Sequence, residues 1–427
     1  MDELKKIIDG LKEDLIKSTQ ELIQIDSVED APLLDMPFGE GVDKALRYVI
    51  DKAEALGFKG VYKDGYYGYI EMGEGKELVG ILGHLDVVPA EKPKEWKYPP
   101  FGGEIHDNKI YGRGAIDDKG PVMSALYAMK AVKDLGTPLN KRIRLILGTN
   151  EETRWECINR YKQQEELPSF GFTPDAEYPL INAEKGLLQL KLSITKGASF
   201  SLQGGNALNS VPDYCIYKDS SGATKEFHGK AVHSAKCYEG DNAILKAVTR
   251  MYEEKVNCGM IEYLNKEIGN DPYVEKIFKG FEDKASGKLT FNVAKVDINE
   301  KQQDLYIDIR FPVSKNKEEI LKLLTESCKP YNIQVSEEDS LPTLYVDENH
   351  FIVKTLQDVF QKETGLDAKP LFTGGATYAR AFDNFVAYGP VLPGQIKTAH
   401  QMDEYIEVDL LLKNVAIYAR AIEMLGK

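Results

Sequence analysis

The sequence predicts an α/β fold into which a second, α+β module is inserted. Helical segments and apolar strand segments alternate in the first part of the chain and return near its end, as in α/β proteins. The middle part instead alternates polar and apolar residues, which is typical of half-exposed antiparallel strands. We therefore expect residues 1–185 and 343–427 to form one domain and residues 186–342 to form an inserted domain.

Periodicity and glycine positions predict the individual elements. In the first domain they are helices over residues 3–25, 43–56, 122–135, 349–364 and 409–425, strands over 66–72, 77–83, 142–148 and 385–388, and a short hairpin over 104–112. In the inserted domain they are strands over 187–195, 288–297 and 304–311 and helices over 242–255 and 317–328. Gly73 and Gly75 suggest that strands 66–72 and 77–83 pair as a hairpin.

Composition excludes several classes of protein. The net charge of −14 argues against nucleic acid or an anionic membrane as a partner. The five cysteines are scattered without a CxxC pair, which disfavours a disulfide framework or a thiolate zinc site. The charged amino terminus has no apolar run long enough for a signal peptide, and no later segment is long and apolar enough for a membrane span. We therefore expect a cytoplasmic protein.

The segment Leu78–Pro89 carries the first candidate site. Its apolar run suits a strand buried on both faces, and it ends abruptly in His84 and Asp86. Residues two apart on extended backbone point to the same face. The pair is therefore either a metal ligand with its orienting carboxylate or an ordinary strand end with a polar cap.

Two acidic motifs follow strands or precede helices in the same part of the chain. The segment Gly112–Pro121 could turn sharply and aim Asp117 inward, although a helix-capping turn would look the same. Glu151 and Glu152 follow the strand over 142–148, where one could bind a metal while the other acts as a base. Plain surface charge is the alternative for that pair.

The remaining candidates are Asp175, in a loop bounded by prolines, and His400, in an acid-rich segment. With His84, Asp117 and Glu152 they supply the ligands that two metal ions sharing one carboxylate would need, and Glu151 is left as a base. Nitrogen and carboxylate ligands without thiolates suit zinc, with manganese or cobalt as alternatives.

These motifs resemble a known family when they are taken together. GHLDVVP, GRGAIDDKG, NEET, PDAEYP and AHQMDEY occur in the order found in the co-catalytic dimetal family of aminoacylases, succinyl-diaminopimelate desuccinylases, carboxypeptidases and dipeptidases. TNEETRWEC, GGNALNSVPD and DIRFP look most like its dipeptidase V branch, the carnosinase-like Xaa-His dipeptidases. The resemblance implies a dizinc-exopeptidase-like catalytic domain, with a mixed central sheet and helices on both faces, and an inserted ferredoxin-like lid domain.

The resemblance also implies a role for each candidate residue of the catalytic domain. Asp117 would bridge two divalent ions and would be joined to Asp118 by a cis peptide, and His84 and Glu152 would complete one or the other metal site. The remaining ligands would be Asp175 and His400. Asp86 would orient His84, and Glu151 would be the general base.

Lid residues are expected to bind the substrate. By resemblance His233 and Asn209 would steady the oxyanion, and Arg310 would hold the substrate's free carboxylate. The loop containing Gly374, Gly375 and Thr377 would line the same pocket. The chain departs from the family in the SAKC that follows His233 and is shorter than typical members of the branch. In many members of the family the lid histidine comes from a neighbouring subunit, whereas in the dipeptidase V branch an enlarged lid supplies it within one chain. The insertion here is large enough for the second arrangement, so we expect a monomer.

The implied function is hydrolysis of unblocked dipeptides, either broadly or of Xaa-His and β-Ala types, by a hydroxide that bridges two metal ions. The same chemistry would also fit an N-acyl amino acid deacylase or an aminopeptidase. A non-catalytic metal- or peptide-binding protein is a third reading, which we disfavour because every ligand position and the base position are filled.

Overall fold

The computed structural model describes residues 3–427, which divide into two compact units. The first unit contains residues 3–182, 346–371 and 377–427, and the second contains residues 183–345 and 372–376. Apart from residues 372–376, the second unit is therefore one insertion in the sequence of the first.

The helices and strands are numbered in chain order. The helices are α1 (Glu3–Ile23), α2 (Glu40–Ala55), α3 (Lys119–Leu135), α4 (Glu156–Gln164), α5 (Ala243–Glu253), α6 (Gly259–Tyr263), α7 (Lys317–Cys328), α8 (Phe351–Thr364) and α9 (Val408–Leu425). The strands are β1 (Lys59–Lys63), β2 (Tyr67–Met72), β3 (Leu78–His84), β4 (Glu104–His106), β5 (Lys109–Tyr111), β6 (Arg142–Gly148), β7 (Phe170–Thr173), β8 (Ala176–Glu177), β9 (Ile181–Glu184), β10 (Gly186–Ile194), β11 (Ser201–Gly204), β12 (Tyr214–Lys218), β13 (Thr224–His228), β14 (Glu282–Asp283), β15 (Gly287–Lys288), β16 (Thr290–Ile298), β17 (Gln303–Phe311), β18 (Gln334–Leu341), β19 (Leu344–Tyr345), β20 (Leu371–Thr373), β21 (Phe385–Ala387), β22 (Pro390–Val391) and β23 (Tyr405–Glu407).

The first unit is built on a mixed sheet in the order β1-β2-β6-β3-β7-β21-β9. Strand β3 is parallel to both β6 and β7, and β7 is parallel to β21. The outer pairs β1–β2, β2–β6 and β21–β9 are antiparallel. Every residue of β3 is buried, as its continuous apolar sequence predicts.

Helices cover both faces of this sheet, as the contacts of strand β2 show. A side chain at Gly68 would meet Ile50 of α2, whereas the neighbouring Tyr67 and Tyr69 pack edge-on against Tyr161 of α4. Successive residues of a strand point to opposite faces, so α2 and α4 lie on opposite sides. The predicted α/β fold with a mixed sheet is confirmed. Within residues 3–427, no helix combines the length and the apolar character needed to cross a lipid bilayer.

One predicted pairing is wrong. Strands β2 and β3 do not form a hairpin, because β6 lies between them in the sheet. The hairpin partner of β2 is β1, a strand that the sequence analysis missed. The two strands are joined through Asp64 and Gly65, which both have positive φ angles, as tight turns require.

The second unit has a seven-stranded antiparallel sheet in the order β13-β12-β11-β16-β17-β10-β18. Strands β10, β16, β17 and β18, taken with helices α5 and α7, follow the βαββαβ order of ferredoxin-like folds, with the strands arranged 4-1-3-2. Strands β11–β13 extend this core, so the prediction of three strands was too low. Strand β18 was missed because its sequence, QVSEEDSL, is almost entirely polar and largely exposed.

Candidate metal centre

Three neighbouring strands of the first unit deliver polar residues to one edge of the sheet. Strands β6, β3 and β7 are parallel and adjacent, so their carboxyl ends meet at the same edge. His84 is the last residue of β3, Glu151 and Glu152 follow β6, and Asp175 follows β7. Strand β7 was not predicted, although the position of Asp175 depends on it.

Asp117 reaches the same edge from the loop that precedes α3. Gly114 in this loop has a φ angle of 84°, which is in the left-handed region that favours glycine. The Asp117–Asp118 peptide is cis. The buried carboxylate of Asp118 accepts a hydrogen bond from the backbone N–H of His84 at 3.2 Å, so the loop is tied directly to the end of β3.

The carboxylate of Asp117 lies between the two histidines. Its Oδ1 is 3.1 Å from Nε2 of His84, and its Oδ2 is 3.1 Å from Nε2 of His400. Asp175 Oδ2 is 3.8 Å from Nε2 of His84, whereas Glu152 Oε1 is 2.9 Å from Nε2 of His400. The sequence left open which ligands share a site, and the structure groups His84 with Asp175 and His400 with Glu152.

His84 is completely buried and fixed through its other ring nitrogen. Its Nδ1 lies 2.9 Å from the backbone carbonyl of Asp86, to which it donates a proton in the neutral tautomer. Nε2 then carries the lone pair that a metal ion would use. The sequence predicts that Asp86 orients His84. Asp86 approaches Nδ1 with two groups, and its backbone carbonyl is closer than its carboxylate, which is 3.6 Å away.

The carboxylate of Asp86 instead fixes the acidic turn after β6. Its two oxygens accept the backbone N–H groups of Glu151 and Glu152, each at 3.0 Å. The turn closes where Trp155, at a φ angle of 59°, donates its N–H to the carbonyl of Asn150. This irregular backbone is what lets both glutamates face the cluster, with ligand atoms of His84, Glu151 and Glu152 all within 4.8 Å of one another.

The carboxyl groups of the cluster repel one another. Burial raises the pKa of Glu151 to about 8, and the neighbouring charge of Glu152 adds to the shift. Burial and the charge of Asp117 raise the pKa of Asp175 well above its usual range. Burial and the neighbouring carboxylates therefore both disfavour the ionised form of these groups.

The pKa values of the two histidines are raised as well, which favours their charged form. Hydrogen bonds to Asp117 and Glu152 raise the pKa of His400 to about 10. Despite the burial of His84, hydrogen bonds to Asp117 and Asp86 raise its pKa as well. A divalent cation would displace these protons, because it binds ionised carboxylates and neutral imidazoles. The donor set, with two nitrogen ligands and no thiolate, fits zinc, manganese or cobalt ions.

Two of the predicted substrate-binding residues are neighbours in the second unit. Asn209 and His233 are both exposed, and the backbone carbonyl of Asn209 accepts the N–H of Ser234 at 2.9 Å. Nδ1 of His233 accepts the N–H of Ala235 at 3.2 Å, so the neutral imidazole carries its proton on Nε2. Partial desolvation and the positive charge of Arg310 lower the pKa of His233.

Arg310 is buried in the second unit and is already engaged. Its Nε and Nη2 donate to the two carboxylate oxygens of Asp308 at 2.7 and 3.0 Å, and its Nη1 donates to the carbonyl of Gly374 at 2.9 Å. These contacts fix the guanidinium and leave second protons on Nη1 and Nη2 for a ligand. A side chain at Gly374 would lie 2.8 Å from Cβ of Ala235, so the close approach requires glycine.

The two other residues predicted to line the pocket have local structural contacts. The N–H of Gly375 donates to the Thr373 hydroxyl at 3.0 Å, within the second unit. Thr377 belongs to the first unit, where its hydroxyl accepts the N–H of Ala379 at 3.2 Å and begins a 3₁₀ turn.

Sequence reasoning missed three residues that support the cluster. Tyr378 is fully buried between the rings of His84 and Trp155, with ring centroids 6.2 and 5.2 Å away. Arg113 and Glu404 form a buried ion pair behind Asp117. No sequence signal distinguishes Glu404 from the other acidic residues near His400.

Comparison with known proteins finds a peptidase family and a relative named as a dipeptidase. The sequence model of Peptidase family M20/M25/M40 matches residues 80–424. A Bacillus subtilis protein named "Putative dipeptidase YtjP" is 38% identical in an alignment that covers 97% of this chain and 98% of that protein.

Two solved structures share the fold. An aminoacylhistidine dipeptidase from Vibrio alginolyticus matches with a TM-score of 0.64 at 12% identity, over 97% of this chain and 96% of that one. The M20 family metallo-carboxypeptidase Sso-CP2 from Sulfolobus solfataricus matches with a TM-score of 0.63 at 19% identity, over 97% of this chain and 99% of that one.

Proposed function

The chain belongs to Peptidase family M20/M25/M40 and is a metallopeptidase, and from this premise we propose that it hydrolyses the peptide bond of unblocked dipeptides. The position of Asp117 carries the two-metal part of this proposal, because each of its carboxylate oxygens lies beside a different histidine. The name of the Bacillus subtilis relative gives the same substrate class.

Two divalent ions, zinc in the first instance, are the proposed cofactors. His84, Asp175 and Asp117 would hold one ion, and His400, Glu152 and Asp117 would hold the other. When bound, the ions would polarise the peptide carbonyl and lower the pKa of the attacking water.

Glu151 is proposed as the general base. Its backbone is fixed by Asp86, and its carboxylate shares the cluster with His84 and Glu152 without being needed as a ligand in either proposed group. It would accept a proton from water as the new C–O bond forms at the peptide carbon. It would then deliver that proton to the departing amine as the C–N bond breaks.

Residues outside the metal cluster are proposed to recognise the substrate. His233 and Asn209 would donate hydrogen bonds to the developing oxyanion, and Arg310 would bind the terminal carboxylate. Gly374, Gly375 and Thr377 would line the pocket. Support comes from the motif resemblance and from the contacts that group Asn209, His233, Gly374 and Arg310 within one unit.

A substrate panel tests the proposal. Apo-protein reconstituted with Zn²⁺, Mn²⁺ or Co²⁺ would be assayed with Ala-Ala, β-Ala-His, Ala-Ala-Ala and N-acetylalanine. We expect the two dipeptides to be hydrolysed with the highest kcat/KM, and only after metal is added. Preference for N-acetylalanine would identify a deacylase instead, and preference for the tripeptide would identify an aminopeptidase. A monomeric state and a cytoplasmic location stay predictions from the sequence.

A further inference from the structure

A buried ion pair lies behind the metal cluster in the first unit. Nη1 of Arg113 donates to Oε2 of Glu404 at 2.6 Å, and the two side chains are 3% and 0% exposed. Buried ion pairs contribute little net stability, because desolvation offsets their attraction. This pair therefore invites a functional explanation.

The second carboxylate oxygen of Glu404 reaches the loop that carries Asp117. Oε1 accepts the backbone N–H of Ile116 at 3.0 Å and that of Asp117 at 3.3 Å. The backbone carbonyl of Glu404 also accepts the N–H of Gly112, at 2.9 Å. Both ends of the Gly112–Asp117 loop are thus anchored on this one residue.

Glu404 belongs to the same closed loop as His400. The hydroxyl of Thr398 donates to the carbonyl of Tyr405 at 3.2 Å and accepts its N–H at 3.4 Å, which fastens the two ends of the loop together. Within it, Asp403 accepts the N–H of Lys97 at 2.7 Å. His400 and Glu404 are therefore held in a fixed relation.

We propose that Glu404 is a positioning residue that sets the spacing between the metal ligands Asp117 and His400, and that Arg113 holds its carboxylate in place. The inference rests on the proposed metal centre but not on the identity of the substrate. It predicts that the backbone-anchoring oxygen of residue 404, more than its charge, determines metal affinity.

Two double variants separate these contributions. In E404L/R113M both charges are replaced by apolar side chains of similar volume, a change that buried ion pairs often tolerate without loss of stability. In E404Q/R113M the charges are also removed, but an acceptor oxygen remains for the N–H groups of Ile116 and Asp117. Affinity would be measured by titrating apo-protein with Zn²⁺ against a chromophoric chelator, and urea unfolding of the apo-proteins would check the fold.

We expect E404L/R113M to bind Zn²⁺ roughly 10–100-fold more weakly than wild type, the loss typical of removing a group that orients a metal ligand. E404Q/R113M should bind almost as tightly as wild type. The matched control is E71L/R144M, which removes the Arg144–Glu71 ion pair of strands β6 and β2 and should leave Zn²⁺ affinity unchanged.

Wild-type Zn²⁺ affinity in E404L/R113M would overturn the proposal, and so would an equal loss in both double variants of the Arg113–Glu404 pair. If the wild-type protein bound two Zn²⁺ ions but hydrolysed no dipeptide, the proposed function would fail while this inference could still be tested. The Zn²⁺ titration alone decides whether Glu404 positions the metal ligands.

Discussion

The two units contain polar clusters of opposite charge. In the first unit, burial raises the pKa values of the carboxyl groups Glu151 and Asp175. In the second, burial and the charge of Arg310 lower the pKa values of Lys185, to about 8, and of His233. Burial disfavours charge in both places, so each cluster would gain from a ligand of the opposite sign: cations in the first unit and a carboxylate in the second.

Removing the proposed base of the acidic cluster should have the largest effect. We expect E151Q to lower kcat for Ala-Ala by about 10²–10⁴-fold, the usual contribution of a general base, while the bound Zn²⁺ per chain stays the same. Steady-state kinetics and metal analysis of the purified variant would measure both quantities.

The matched control for that experiment is E156Q. Glu156 is exposed at the start of α4, close in sequence to Glu151 but outside the cluster, and its change should leave kcat unaltered. If E151Q kept wild-type turnover, Glu151 would not be the base. If it instead lost an ion, the residue would be a metal ligand.

A smaller effect is expected from the basic cluster. Replacing Arg310 by methionine removes a charge-assisted hydrogen bond to the substrate carboxylate, worth about 1.5–3 kcal/mol, or roughly 10–100-fold in kcat/KM. The loss should appear mainly in KM for Ala-Ala and should be much smaller for its C-terminal amide, which lacks the carboxylate.

R310M leaves the buried carboxylate of Asp308 without its main partner, so D308N/R310M is the companion variant that removes both charges. R310K tests the shape of the group, because lysine keeps the charge but cannot form the bidentate contact. Equal losses on Ala-Ala and on its amide would show that Arg310 supports the fold and does not bind the carboxylate.

The comparison also shows what the sequence could and could not predict. His84, Asp117, Glu152, Asp175 and His400 could be predicted as candidate ligands because each stands in a short motif at the end of an element. Their pairing around Asp117 could not, since it depends on strand order, and the wrongly predicted β2–β3 hairpin shows that strand order is a long-range property.

Supporting contacts were still harder to predict. The carboxylate of Asp86 accepts hydrogen bonds from backbone N–H groups that are 65 and 66 residues away in the sequence. The carboxylate of Glu404 accepts hydrogen bonds from the N–H groups of Ile116 and Asp117, which are 288 and 287 residues away. Such contacts leave no local pattern, because an anchoring carboxylate and a surface carboxylate look the same in the sequence. Strand β7 was missed for a different reason: with only four residues, it has no readable period.

The smallest predicted effect tests whether burial alone explains the basic cluster. Burial lowers the pKa of Lys185 from 10.5 to about 8, so between these values the unfolded chain binds a proton that the folded protein does not. Lys185 should therefore contribute a rise of about 2 kcal/mol in the free energy of unfolding at pH 9.5 relative to pH 7, in addition to the contributions of other groups. K185M should lower the difference in unfolding free energy between the two pH values by about that amount, whereas K301M, at an exposed lysine of the same unit, should leave it at the wild-type value. Urea unfolding at the two pH values measures the difference, and a wild-type difference in K185M would mean that Lys185 reaches solvent and that burial does not govern this cluster.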